Sequence, residues 1–127
     1  MTTTLHALNY TADELQEALR PIASLISKSK KAQQKLASGT WQHTMLRDNL
    51  KALHIASALM NKDVDATDGF TPDDFQEGLH AFALMISKTE KAQARFSLGT
   101  SQHTMLRNRL KTLHIAQAMI KTELDKR

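Results

Sequence analysis

Apolar residues return every three or four positions along most of the chain, which is the spacing of one face of an α-helix. The two apolar stripes in the first half of the chain comprise Leu15, Leu19, Ile22, Ile26 and Leu36, and then Leu46, Leu50, Leu53 and Met60. The equivalent stripes sixty positions later comprise Phe75, Leu79, Phe82, Ile86 and Phe96, and then Leu106, Leu110, Leu113 and Ile120. No stretch alternates apolar and polar residues as a half-buried strand does. The pattern therefore predicts four helices and an all-α fold.

The chain repeats itself at an offset of sixty residues, and the clearest copy is GTWQHTMLR at Gly39–Arg47 against GTSQHTMLR at Gly99–Arg107. Of the 55 positions that align, 28 are identical. The 20 positions that begin at Gly39 hold 15 of these identities. A duplication alone spreads its matches evenly, so packing, a site or chance has to account for this excess. We interpret the chain as two tandem helical hairpins, one at 9–64 and one at 69–124.

The first helix of each hairpin begins with a capping box, in which a threonine and an acid three residues later satisfy free backbone N–H groups. Thr11 and Glu14 form this pattern in the first hairpin, and Thr71 and Asp74 form it in the second. Pro72 occupies the first helical position, where a missing N–H removes no hydrogen bond. These signals predict where both helices begin.

Each hairpin turns at a Gly-Thr pair. We expect Gly39 and Gly99 to take the left-handed C′ position that ends the first helix, and Thr40 and Thr100 to cap the second. Pro21 lies inside the first helix, where its ring removes one backbone hydrogen bond. It is expected to bend or break that helix, or to form a kink that the fold tolerates.

The segment 61–70 links the two hairpins within a single domain, 1–127. About ten residues span at most ~35 Å when fully extended, whereas each helix is about 30–40 Å long. Because such a linker has almost no slack to run the length of a bundle, we predict an up-down-up-down four-helix bundle. Both Gly-Thr turns then lie at one end of the bundle.

Positive charge is concentrated beside the two turns. The chain has a formal net charge of +4, and both Lys28–Lys51 and Lys88–Lys111 contain six basic residues against one acid. We therefore predict that the turns form a basic end, while the acids gather at the opposite end. A row of lysines can bind a phosphate backbone, so nucleic acid stays open as a partner, although no aromatic surface is interleaved with the lysines.

Composition excludes several classes of protein. The chain has no cysteine and forms neither disulfides nor thiolate-metal sites, which fits a reducing compartment. No apolar stretch approaches the ~20 residues that span a bilayer, and the first residues do not have the pattern of a secretory signal. We expect a cytoplasmic protein without a membrane segment and without a cofactor.

The second helix of each hairpin is apolar over a wider arc than its core stripe requires. The residues that widen the arc are Met45, Ala52, Ile55 and Leu59 in the first copy, and Met105, Thr112, Ile115 and Met119 in the second. Ordinary bundle helices bury a narrower face. Either the bundle packs asymmetrically or a second subunit covers this surface. Because large apolar patches are uncommon on monomers, we predict a homodimer through the second helices.

Polar side chains interrupt the apolar surfaces near the turns. Gln33 and Gln93 lie in the stripes of the first helices, and His43 and His103 lie near them on the second helices. Because a buried amide needs partners, we predict that these four side chains form a polar cluster. The basic residues expected to ring the cluster are Lys31, Arg47, Lys91 and Arg107. The cluster is either a pocket for an anion or polar ligand, or an internal hydrogen-bond network that sets helix register.

An arginine and a histidine stand seven positions apart in both second helices, as Arg47 and His54 and again as Arg107 and His114. Seven residues is nearly two helical turns, so each pair shares a helix face. The pattern resembles the R-x(4–6)-H signature of HEPN ribonucleases, which are helical bundles that act without metal in a dimer cleft. The resemblance implies that the histidines act as general acid–base groups and that the arginines stabilise charge developing on phosphate.

Two other histidine chemistries fit the sequence less closely. A zinc site across the bundle axis is short of ligands, because the second helices carry almost no carboxylate. The run from His43 to Arg47 only loosely resembles the histidine box of phosphotransfer bundles. We predict no metal site, and we interpret the chain as a small binding or regulatory protein whose basic end meets a protein or an anionic partner. A metal-independent ribonuclease is the alternative.

Overall fold

The computed structural model describes residues 10–127, and the predicted start of the first hairpin at residue 9 lies outside them. The helices are α1 (Ala12–Gln34), α2 (Trp41–Met60), α3 (Val64–Asp68), α4 (Pro72–Gln93) and α5 (Ser101–Asp125). Residues 10–127 contain no strand, so the all-α class is confirmed. The predicted count of four helices is wrong, because the linker contains the short helix α3. Asp63 caps α3 by accepting a hydrogen bond from the N–H of Ala66.

Both predicted capping boxes are confirmed. The Thr11 hydroxyl accepts from the N–H of Glu14 at 3.1 Å, and the Glu14 carboxylate accepts from the N–H of Thr11 at 3.0 Å. Thr71 and Asp74 make the same two bonds at 3.1 and 2.8 Å. The caps satisfy N–H groups that the first turn of a helix cannot pair internally, so α1 and α4 begin where the sequence predicts.

The C-terminal ends of α1 and α4 differ from the prediction. Both helices end several residues before the turn glycines, so Leu36 and Phe96 lie in the turns and not in the apolar stripes. The end of α1 passes into a tighter turn of the 3₁₀ type, because the N–H of Leu36 donates to the carbonyl of Gln33, only three residues earlier. Gly39 and Gly99 do have positive φ, +92° and +88°. They are therefore turn glycines and not the C′ residues of the helices.

The starts of α2 and α5 follow the predicted chemistry. Thr40 and Thr100 accept from the N–H groups of His43 and His103, each at 3.2 Å. Pro21 lies inside α1, which continues unbroken on both sides of it, so the predicted break does not occur. One missing N–H removes a single bond from the ladder, and the bonds on either side hold the helix together.

Helices α2 and α5 form the centre of the molecule, since they contact each other and both contact α1 and α4. α1 and α4 do not contact each other. The largest side chains that this arrangement buries completely are Ile22, Leu53, Ile55, Phe75, Phe82, Leu113, Ile115 and Ile120. These residues come from all four long helices and form one contiguous core.

The central position of α2 and α5 accounts for the wide apolar arc of the second helices. Ala52, Ile55, Thr112 and Ile115 are all buried by other helices of the same chain. These four positions therefore need no second subunit to cover them, whereas Met45, Leu59 and Met119 are only partly buried. Met105, at the edge of the arc, remains half exposed. The homodimer stays a prediction that the packing of one chain does not require.

α4 reaches this centre through a glycine. A Cβ atom at Gly78 would lie 3.4 Å from Cδ1 of Ile120 and 3.8 Å from Cδ1 of Ile55, so the absence of a side chain lets α4 pack closely on both central helices. The equivalent residue of α1 is Ala18, and α1 meets α5 over a shorter stretch than α4 meets α2. The two hairpins have the same order of helices, but their first helices pack unequally against the second helix of the other hairpin.

The last residue of the chain ties the linker to α5. The guanidinium of Arg127 donates to the carbonyls of Phe70 and Thr67, each at 3.2 Å. It also lies 4.6 Å from the centre of the Phe75 ring, within the range of a cation–π interaction. Phe70 packs edge-on against the same ring. These contacts hold the start of α4 against the end of α5.

Replacing Phe82 by alanine is expected to lower the free energy of unfolding by about 3–5 kcal/mol, because the ring is fully buried and leaves a cavity. Urea denaturation followed by circular dichroism measures the change. Phe96→Ala is the matched control, because Phe96 lies in an exposed turn and its loss should change stability by less than about 1 kcal/mol. Equal losses in the two variants would contradict this core.

Candidate functional site

Two grooves run along the surface between outer and central helices, and the sixty-residue offset relates them. The α2/α4 groove, with a cavity of about 870 Å³, is lined by residues that include Trp41, Met45, Arg47, Lys51, His80 and Leu84. The α1/α5 groove, with a cavity of about 470 Å³, is lined by residues that include Glu14, Ser24, Met105, Arg109 and Lys111. The larger cavity falls in the range that binds ligands in other proteins.

An ion pair lies at the same place in both grooves. Lys51 of α2 pairs with Asp74 of α4 and lies 3.7 Å from a carboxylate oxygen of Glu77. Lys111 of α5 pairs with Glu14 of α1 at 3.3 Å. The acids are those of the capping boxes, so each carboxylate caps its own helix and also contacts a central helix. In each case the two partners come from different hairpins.

These contacts alter the acidity of the groups that make them. The hydrogen bond from Lys51 lowers the pKa of Asp74, and the N–H of Thr71 lowers it further. The N–H of Thr11 lowers the pKa of Glu14 most, followed by the hydrogen bond from Lys111. The partner carboxylate of Asp74 in turn raises the pKa of Lys51. At neutral pH both pairs are therefore fully charged.

The glutamines of the predicted polar cluster bond within their own hairpins. Nε2 of Gln33 donates to the carbonyl of His43 at 3.4 Å, and Nε2 of Gln93 donates to the carbonyl of His103 at 3.4 Å. The acceptor is the backbone and not the imidazole, as in a network that holds two helices in register. Neither groove is lined by these four residues. A cluster that joins both hairpins stays a prediction.

The basic residues predicted to ring that cluster are exposed. They are Lys31, Arg47, Lys91 and Arg107. Arg47 lies 3.4 Å from Asp48, whereas no carboxylate of residues 10–127 lies within ion-pair distance of the other three. The segments Lys28–Lys51 and Lys88–Lys111, which we call the turn segments, contain twelve basic residues in total. Of these, Arg47, Lys51 and Lys111 make ion pairs, so nine remain without a described carboxylate partner. Positive charge near the turns is therefore largely uncompensated.

The arginine–histidine pairs of the ribonuclease alternative do not line one groove. Arg47 lines the α2/α4 groove, whereas His54 lines neither groove, and Arg107 and His114 line neither. Partial desolvation lowers the pKa of His54, although its side chain is exposed, and the positive charge of Lys30 on α1 lowers the pKa further. Both effects favour the neutral imidazole.

Sequence reasoning missed both grooves, because it gave no information on which faces of the hairpins would meet. Trp41 is not among the site residues predicted from the sequence, and the second copy has Ser101 at that position. The sequence signal that could have identified the larger groove is the set of positions at which the two copies of the repeat differ. Trp41 and Leu84 both line the larger groove, while the corresponding residues are Ser101 and Ser24.

Comparison with models of protein families, with curated proteins and with solved structures finds no match for the chain. Its function is therefore inferred from its own residues. Within residues 10–127, no three histidine or carboxylate side chains gather closely enough to hold a metal ion. None of the helices in this part of the chain is both long and apolar enough to cross a membrane.

Replacing Lys30 by glutamate is expected to raise the pKa of His54, because the charge that disfavours the imidazolium is exchanged for one that favours it. NMR titration of the His54 ring measures the change. Lys28→Glu is the matched control, since residue 28 lies about 200° around α1 from residue 30. A pKa of His54 that responds equally to both substitutions would contradict the contact with Lys30.

Proposed function

We propose that this chain is a cytoplasmic binding protein without catalytic activity, whose basic end engages an anionic partner. The observation that carries the proposal is the uncompensated charge of the two turn segments, where nine basic side chains have no described carboxylate partner. Cations that serve only solubility are normally interspersed with acids. A surface with charge of one sign attracts the opposite charge over about 8 Å at physiological salt and speeds the encounter with an oppositely charged partner.

The proposal includes the up-down-up-down arrangement, which brings both turns to one end. Lys51 pairs with Asp74 near the start of α4, while Trp41 and Leu84 line the same groove. As residue numbers fall along α2 they rise along α4, which is the relation of antiparallel neighbours. The linker between these helices is short and partly helical, which also favours antiparallel neighbours. The basic segments of both hairpins then act as one surface.

Charge reversal tests the basic end. Lys31→Glu together with Lys91→Glu, and separately Arg47→Glu together with Arg107→Glu, should each weaken binding of fluorescent poly-glutamate by about tenfold or more at low salt. The reason is that each pair removes two cations from the surface and adds two anions. Fluorescence anisotropy at several salt concentrations measures the affinity, and the dependence on salt should become shallower.

The control for these variants is Lys121→Glu together with Lys126→Glu, which changes net charge equally at the far end of α5. Binding should weaken much less in this control, because the charge changes lie away from the turns. Equal weakening would show attraction by net charge alone, and no weakening in the turn variants would remove the proposed surface. Single-stranded RNA in place of poly-glutamate reports whether nucleic acid is also bound.

The ribonuclease remains the second candidate, and it rests on the repeated spacing of Arg47 with His54 and of Arg107 with His114, because an imidazole can accept a proton and a guanidinium can stabilise charge on phosphate. Under this alternative the chain cleaves RNA without metal, and His54→Ala with His114→Ala abolishes the activity. Gel analysis of labelled RNA in the presence of a chelator measures cleavage. We expect no cleavage by the wild type, and cleavage that depends on both histidines would replace the binding function.

The homodimer through the second helices is part of the same proposal as an expectation about its assembly. Met105 is half exposed at the edge of α5 and is the residue best placed to contribute apolar surface to such an interface. Sedimentation equilibrium at micromolar concentration distinguishes monomer from dimer. It also fixes the stoichiometry on which the binding measurements depend.

A further inference from the structure

The two grooves have the same scaffold but different surfaces, and the difference is concentrated at two positions. Trp41 of α2 and Leu84 of α4 line the larger groove and are 69% and 54% exposed. The residues at the equivalent positions of α5 and α1 are Ser101 and Ser24. The α2/α4 pair of helices therefore has large exposed apolar side chains at both positions, and the α1/α5 pair has small polar ones.

Packing does not explain this difference. The α1/α5 groove is built from the equivalent helices of the repeat, with Ser24 in its lining and Ser101 at the first position of α5, so neither the helices nor the core need large residues at these positions. Trp41 and Leu84 are also exposed, so they contribute little to burial within the chain. Met45, on the face of Trp41 one turn later, extends the same apolar surface. Apolar patches of this kind, rimmed by polar residues, mark binding sites.

The charges around this apolar surface change along the groove. At one end Lys51 is neutralised by Asp74 and Glu77. At the other end Lys88 and Lys91 follow Leu84 at i+4 and i+7 and continue the same face of α4 toward the turn. No carboxylate of the described chain lies within ion-pair distance of either lysine, so α4 is cationic where it extends past Leu84 toward the turn. In the groove lining itself, Arg47 pairs with Asp48.

The dimensions of the surface suit a helix. Trp41 and Lys51 lie ten residues apart on α2, which is about 15 Å or nearly three turns. An amphipathic helix that lies in a groove uses apolar side chains at i, i+4 and i+7 as anchors, and these span about 10 Å, which fits within that length. The groove is open along its length and lies between two helices, as helix-binding grooves commonly do.

We propose that the α2/α4 groove binds an amphipathic helix of an acidic protein partner. The apolar side chains of that helix contact Trp41, Met45 and Leu84, and its carboxylates meet Lys88 and Lys91 at the turn end. This inference rests on the proposed binding function and names its partner. A second copy of this chain fits less well, because its own turn segments would bring like charge to the cationic end.

A set of synthetic helical peptides of about fourteen residues tests the proposal. The probe peptide carries leucine at i, i+4 and i+7 with glutamate on its flanks. One matched peptide has lysine in place of glutamate, and another has serine in place of leucine. Trp41 is the only tryptophan of the chain, so its emission reports contact directly. We expect a blue shift with the probe peptide, about tenfold weaker binding of the lysine peptide, and no shift with the serine peptide.

The first variants replace the two exposed apolar side chains of the α2/α4 groove by the serines found at the equivalent positions of α5 and α1. Trp41→Ser with Leu84→Ser should weaken anisotropy-detected binding of the labelled probe by about tenfold or more, while thermal unfolding stays close to that of the wild type. Leu98→Ser is the matched control, since Leu98 is exposed in a turn and lines neither groove, and it should bind as the wild type does. Unchanged binding in the double variant overturns the proposal.

The converse variant provides an independent check on the same idea. Ser24→Leu with Ser101→Trp gives the α1/α5 groove the two apolar side chains, and a second equivalent of probe peptide should bind. A dimer of wild type that dissociates in Trp41→Ser with Leu84→Ser would show that a second copy occupies the groove, and would overturn the acidic partner. Poly-glutamate binding separates the two proposals, because it depends on the turn cations and has no apolar anchors.

Discussion

The structure depends on the direct contact between α2 and α5. Each of these helices packs against the other and against both outer helices, so each is apolar around more than half of its circumference. Small side chains permit this, since Ala56 and Ala116 are fully buried and Gly78 lets α4 approach both central helices. The core residues of the outer helices, such as Ile22 and Phe82, pack onto this central pair. Together with the α2/α4 and α1/α5 contacts, this pair joins the two hairpins in one core.

The grooves follow from this arrangement. Because α1 and α4 do not contact each other, each outer helix meets the other hairpin along one side only, and a groove is left beside the contact. The capping carboxylates Glu14 and Asp74 link the hairpins there, by contacting Lys111 and Lys51. The same scaffold thus forms two grooves, and a few side-chain differences make their surfaces unlike.

The distribution of charge also follows from how the helices begin and pack. The acids at the starts of α1 and α4 are used in helix caps and in ion pairs with the central helices, which leaves most cations of the turn segments without partners. Exposed cations of this kind contribute little to stability. Their arrangement is not required by the energetics of the fold, and it is the basis of the proposed binding to an anionic partner.

The sequence alone determined the helix starts, because a cap such as Thr11 with Glu14 or Thr40 with His43 N–H is a bond between residues three apart. It also determined the all-α class and the basic segments, which depend only on local periodicity and composition. Tertiary structure decided that four residues of the wide apolar arc are buried within one chain, that Leu36 lies in a turn, and that Trp41 shares a groove with Leu84. These features depend on which helix faces meet, and that is set by packing between residues far apart in the chain.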